Sequence, residues 1–203
     1  PFYKGITEGG SRAFMAAYNS WNGIPMSIHP CLEEITRKQW GNNGIICTDG
    51  GALKLLIEAH KSFPSFAEGA AAVVKATTGQ FLDAYVPYVK EALEKGLLTE
   101  ADIDKACRRI LEAKYKLRLF ANPYKYCDVK RAEKEVFTPE HRSIARQIAT
   151  ETFVLLKNQD NLLPLQRKGN IALIGPLANT RANMPGTWSV AATADRYSTL
   201  LEG

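Results

Sequence analysis

The sequence holds no apolar run approaching the ~20 residues that a helix needs to cross a bilayer, so no helical membrane span is expected within it. It has no initiator Met and no leader pattern. It opens at Pro1 in mid-pattern and ends on Leu200-Leu201-Glu202-Gly203, and the expectation is an internal piece of a longer protein. Its four cysteines, Cys31, Cys47, Cys107 and Cys127, form no C-x-x-C pair, and its three histidines are not spaced as zinc ligands, so no metal site is expected. Cysteine usage does not fix a compartment. Cys47 lies in an apolar strand-like run and Cys107 on an apolar helix face, and both read as small core residues. Ile174-Gly175-Pro176 looks like the strand end of a nucleotide fold, but no G-x-G-x-x-G follows, which removes that reading. Internal repeats and low-complexity segments are absent as well.

What is present is ordinary for a globular protein: 203 residues, 45% hydrophobic and 23% charged, enough for one full core or parts of two domains. The formal net charge of +5 invites a nucleic-acid reading. The densest basic stretch, Lys125 to Lys134, also carries Asp128 and Glu133 and has few aromatics to stack on bases. Elsewhere cations alternate with acids along helical faces, as at Glu91, Glu94 and Lys95. A solvated helix surface accounts for this better than a phosphate-tracking stripe, so no nucleic-acid partner is expected.

Phe14-Met15-Ala16-Ala17-Tyr18, between Gly9-Gly10 and Asn22-Gly23-Ile24-Pro25, reads as a buried strand. Pro30 suits a helix first turn, followed by Leu32, Ile35 and Trp40 up to Gly41. Ile45-Ile46-Cys47-Thr48 is a second buried strand, then Asp49-Gly50-Gly51 leads into a helix from Ala52 to about His60. Further helices are expected over Phe66 to Ala76, from Pro87 to Gly96, and behind Thr99-Glu100-Ala101-Asp102, which resembles a capping box. This rhythm argues for a parallel α/β sheet or barrel. The texture changes after Phe120, and the stretch before Thr138 reads as an ordered linker. A helix from Thr138 and strands at Val154–Leu156 and Ile171–Ile174 would then open a second α/β unit.

Asp49 is the best chemical candidate. It lies where a buried strand emerges, the place where α/β barrels put catalytic groups, and two glycines after it permit a tight turn and close approach of a ligand. The plain alternative is that it caps the next helix. Tyr18 occupies the equivalent end of the preceding strand, where a phenol would hydrogen-bond a carboxylate or a sugar ring oxygen, or simply pack. Trp188, after Pro185-Gly186-Thr187, suits either stacking on a sugar face or interdomain packing. His29, His60 and His141 lie near helix ends without a Ser or Cys partner and read as capping or packing residues.

Five segments in order together resemble glycoside hydrolase family 3, especially its periplasmic β-glucosidase branch. They are Ala17-Tyr18-Asn19-Ser20-Trp21-Asn22-Gly23-Ile24-Pro25, then Gly44-Ile45-Ile46-Cys47-Thr48-Asp49-Gly50-Gly51-Ala52, then Thr152-Phe153-Val154-Leu155-Leu156-Lys157-Asn158. Leu162-Leu163-Pro164-Leu165 follows, and Ile171-Ala172-Leu173-Ile174-Gly175-Pro176-Leu177-Ala178 leads into Gly186-Thr187-Trp188-Ser189. The resemblance implies an α/β protein: the C-terminal part of a (β/α)8-like barrel carrying the nucleophile (residues 1–120), an interdomain linker (121–137) and the start of an α/β sandwich domain (138–203). It implies Asp49 as the nucleophile of the family's S-D-x-G pattern. Thr48 stands here for the serine, and Gly50 stands where a Trp or His often lines the pocket. Tyr18 and Trp188 would be substrate-binding.

By the same resemblance, the activity is retaining hydrolysis of terminal β-D-glucosyl residues from short oligosaccharides or β-glucosides, without cofactor or metal. The alternatives are a β-xylosidase of the family and a non-catalytic sugar-binding relic. The sugar-gripping Lys, His and Arg groups would precede Pro1 and the general acid/base would lie beyond Gly203, so this chain alone is expected to be inactive. Its partners would be the sugar substrate and the remaining segments of the same enzyme, with no nucleic acid or membrane. The location implied is periplasmic or extracellular.

Overall fold

A computed structural model describes residues 1–78, 85–189 and 192–203. The chain divides into two compact units, Pro1–Val136 and Phe137–Gly203.

The first unit is built on a parallel pair. Strand β1 (Ala13–Ala16) lies beside β4 (Ile45–Thr48) in the register Ala13↔Ile45 to Ala16↔Thr48. Parallel neighbours need a long crossover. Here it contains a two-residue antiparallel hairpin, β2 (Ser20–Trp21) with β3 (Ile24–Pro25), and a helix over Leu32–Gln39. That helix has the wide i→i+5 pattern, continued where Trp40 N–H donates to the Ile35 carbonyl at 3.0 Å. Helix α1 (Phe2–Thr7) precedes β1. After β4 come α2 (Ala52–Glu58), α3 (Phe66–Ala76), α4 (Val86–Glu94), α5 (Glu100–Lys116) and α6 (Val129–Glu135).

Two apolar clusters hold this unit. Ala16, Leu32 and Ile46 are fully buried where the crossover helix covers the sheet, with Phe14, Met26 and Ala76 against them. Ala67, Ala71, Val74, Ala92 and Leu98 join α3 to α4, where Phe66 also stacks on Tyr88 at 4.8 Å. The alanine-rich face of α3 lets its neighbours come close. A Cβ on Gly69 would stand 2.9 Å from Ile57 Cδ1 and 3.0 Å from Leu53 Cδ1 of α2. The chain after α3 returns to the sheet, since Thr78 N–H (3.0 Å) and Thr78 Oγ1 (2.8 Å) both donate to the Ile46 carbonyl.

Side chains cap several of the helix starts. Ser65 accepts from the Glu68 N–H at the start of α3, and Asp128 accepts from the Arg131 N–H at the start of α6. Thr99 and Asp102 form a complete box at α5: Asp102 N–H donates to Thr99 Oγ1 at 3.3 Å, and Thr99 N–H donates back to Asp102 Oδ2 at 2.9 Å. The Thr99 backbone N–H, and after it the hydroxyl, hold the Asp102 carboxyl below its ordinary value of 3.8. A carboxyl depressed by folding adds stability above its ordinary pKa and loses it as pH falls through the lowered one. Thr99→Ala should therefore cost about 1 kcal/mol in urea unfolding at neutral pH, and the gap to the parent should narrow in acid.

The sequence reading needs correction in several places. β1 ends at Ala16, not Tyr18. The stretch 121–137 contains α6, which agrees with the order expected of it. Cys107 is exposed rather than buried, because the buried line of α5 runs through its neighbour Ala106. In the second unit, α7 (Pro139–Glu151) starts as expected, with Thr138 Oγ1 accepting the His141 N–H at 3.2 Å. Val154–Leu156 and Ile171–Ile174, however, are not strands, and among the described residues of this unit there is none. A strand needs an edge to pair with, and these segments lie open, with Leu156 91% exposed. The turns between them are held by side chains. The Asn158 amide bonds both the N–H (2.9 Å) and the carbonyl (3.1 Å) of Leu163, ahead of a cis Leu163–Pro164 bond.

Candidate active site

Asp49 follows the last residue of β4 and is half-buried. The chain turns sharply there. Ala52 N–H donates to the Asp49 carbonyl at 3.2 Å, and Gly51, at φ +72°, takes a left-handed conformation that disfavours a side chain. Gly51 is also the N-cap of α2, so glycine fills the position that a purely capping Asp49 would need. The Asp49 carboxylate folds onto its own turn, where Oδ1 accepts the Gly50 N–H at 2.7 Å. That bond fixes the direction in which the carboxylate faces. Burial pushes the thiol of neighbouring Cys47 up, its own backbone hydrogen bond opposes this, and the negative charge of Asp49 adds to the rise.

The parallel pair ends with Ala16 beside Thr48, and beyond it the Tyr18 hydroxyl donates to the Gly50 carbonyl in the Asp49 turn. The sequence expectation gives this phenol to a carboxylate or a sugar oxygen, or to packing; the acceptor seen is the Gly50 backbone carbonyl. Tyr18 and Asp49 do share one rim. His60, expected to cap or pack, also belongs there. Its Nε2 lies 3.1 Å from the Tyr18 carbonyl oxygen, and since a carbonyl only accepts, Nε2 carries the proton. No spacing rule joins positions 18 and 60, so sequence reasoning missed this link.

His29 accepts the Cys31 N–H on Nδ1 at 3.0 Å, and its ring stacks on Trp21 with centroids 4.9 Å apart and planes at 18°. Trp188 belongs to the second unit, is 84% exposed and has φ +73°. Among the described residues, no group of three or more His, Cys, Asp or Glu is placed to hold a metal ion.

A carboxylate held at the carboxyl end of a parallel strand marks a mixed α/β protein of the kind that does chemistry at strand ends. Residues 1–113 match the glycosyl hydrolase family 3 N terminal domain, and residues 153–203 match the glycosyl hydrolase family 3 C-terminal domain. The chain belongs to glycosyl hydrolase family 3.

It is 35% identical over 209 residues to the periplasmic β-glucosidase of Salmonella typhimurium, covering 100% of this chain and 27% of that protein. It is 32% identical over 194 residues to probable β-D-xylosidase 7 of Arabidopsis thaliana, covering 93% of this chain and 25% of the relative. The crystal structure of a β-glucosidase from Listeria innocua in complex with glucose superposes with a TM-score of 0.79 at 30% identity, covering 100% of this chain and 28% of that one. The chain thus spans about a quarter of the length of the curated relatives it matches.

Proposed function

We propose that this chain supplies the nucleophile of a retaining β-glucosidase, which removes terminal β-D-glucosyl residues from short oligosaccharides or β-glucosides. The observation that carries the reading is Asp49 itself, aimed by the Gly50 N–H at the exit of a parallel strand. In double displacement, an Asp49 oxygen attacks C1 of the sugar from the α face. The glycosidic oxygen leaves with a proton from a second carboxylic acid, and water activated by that same group then cleaves the glycosyl ester. The two carboxyl groups of such enzymes stand ~5–5.5 Å apart, and the assigned acid/base lies in segments outside this sequence. Tyr18 keeps the Asp49–Gly50 turn in place, and Trp188 is assigned to stack on the leaving sugar.

The architecture proposed with it is a (β/α)8-like barrel whose C-terminal part is residues 1–120, a linker over 121–137 and the start of an α/β sandwich over 138–203. The β1–β4 pair, the helices after it and the return of Thr78 to the Ile46 carbonyl support the barrel assignment. Similarity to the Salmonella enzyme supports a periplasmic or extracellular location.

The test uses the protein that carries this sequence at its full length, with a dinitrophenyl 2-deoxy-2-fluoro-β-D-glucoside. Fluorine at C2 slows both steps, while the good leaving group keeps the first one accessible, so the covalent ester accumulates. Peptide mass spectrometry should find one fluoroglucosyl group on the peptide containing Asp49; a label on another carboxylate would overturn the assignment. The similarity to the Arabidopsis protein, named a probable β-D-xylosidase, favours a second reading. The ratio of kcat/KM for aryl β-glucoside over aryl β-xyloside decides between them, and a ratio above one is expected.

A further inference from the structure

We propose that His60 is a positioning residue for the Asp49 carboxylate and acts through Tyr18, an inference that rests on the reading of Asp49 as nucleophile. The contacts form one closed path. His60 Nε2–H donates to the Tyr18 carbonyl, the Tyr18 hydroxyl donates to the Gly50 carbonyl, and the Gly50 N–H donates to Asp49 Oδ1. The Gly50 peptide unit is therefore held on both sides, by Tyr18 at its carbonyl and by the nucleophile at its N–H. Two glycines make this turn soft. A tyrosine two residues beyond the end of its strand braces it from outside the turn. His60 holds the backbone of that tyrosine at its carbonyl.

His60 lies just past the end of α2, the helix that the Asp49 turn opens, so the same segment that starts at the nucleophile folds back to brace its support. The bond is exposed, and an exposed neutral hydrogen bond adds little to folding. Its effect belongs to aim rather than stability, and displacing a reacting group by about 1 Å can cost up to about 100-fold in rate.

The test compares His60→Ala, His60→Gln, Tyr18→Phe and the His60→Ala/Tyr18→Phe pair with the parent full-length enzyme, using an aryl β-glucoside. His60→Ala should lower kcat about tenfold, leaving KM and the thermal midpoint nearly unchanged. His60→Gln, whose side-chain N–H₂ replaces the Nε2–H donor, should recover most of the loss. In the Tyr18→Phe background the path to Gly50 is already cut, so His60→Ala should add little, and the two effects should be non-additive. Parent-like kcat in His60→Ala, equal losses in Ala and Gln, or additive losses in the pair would overturn the role. Asp49→Ala measured alongside separates the two ideas. If it stays active, the nucleophile assignment fails; if it is inactive beside a fully active His60→Ala, only the role of His60 fails.

Discussion

Asp49→Ala in the full-length protein should lower kcat/KM for an aryl β-glucoside by roughly 10⁴-fold or more, the scale on which losing a covalent nucleophile falls. Without the carboxylate no glycosyl ester forms, and water has no activated route to the α face of C1. The Ala variant leaves a gap where the oxygen stood, and a small nucleophilic anion can enter it. Added azide should therefore restore turnover of a substrate with a good leaving group and yield α-glucosyl azide, by a single inversion. Asp49→Asn keeps a carbonyl oxygen that can accept the Gly50 N–H, which the native carboxylate does at 2.7 Å, but it removes the charge. It should lose as much rate as Ala, locating the effect in nucleophilicity rather than in turn geometry. Undiminished activity in either variant, or a β-azide product from Asp49→Ala, would remove Asp49 from the attacking role.

The parts of this molecule that could be read from sequence are those whose causes are local. Ile45–Thr48 is a strand at its expected bounds because four residues of apolar and β-branched character end at a glycine turn. Phe66–Ala76 and the Thr99 box follow from a capping residue and a helical stripe. Asp49 stood out for the same reason, since an acid between a buried strand and two glycines has few structural duties. The misreadings have non-local causes. Val154–Leu156 and Ile171–Ile174 carry strand-like composition, but composition states what a segment can bury, and pairing needs an edge supplied by another segment. The bond from Tyr18 to the Gly50 carbonyl depends on how two distant segments meet. His60 could not be reached at all. Its partner is a backbone carbonyl 42 positions away, and backbone carbonyls leave no mark in a sequence.

Gly44→Ala should be the most destabilising single methyl in the first unit, and the reason lies in how β1 and β4 begin. A Cβ on Gly44 would stand 1.8 Å from the Arg12 carbonyl oxygen and 2.6 Å from its carbon, both backbone atoms with no rotamer to change. Relief requires the two chains to part where Ile45 N–H donates to that same oxygen at 2.8 Å. Parting them also disturbs Arg37, whose side chain is 5% exposed and whose Nη1 donates to the carbonyls of Asn42 (3.0 Å) and Gly44 (3.1 Å). Burial, and then the like charge of Arg109, already push that guanidinium down to about 10 against the opposing pull of Glu33, so it tolerates the loss of an acceptor poorly. Overpacking against backbone together with a weakened buried cation suggests about 4 kcal/mol, or a fall of roughly 10 °C in the thermal midpoint. Gly41→Ala is the control. Its φ is +70° but open space surrounds it, so it should lose only about 1 kcal/mol of left-handed strain. If the two variants melt together, the close approach of Arg12 to Gly44 is wrong, and with it the register in which β1 and β4 begin.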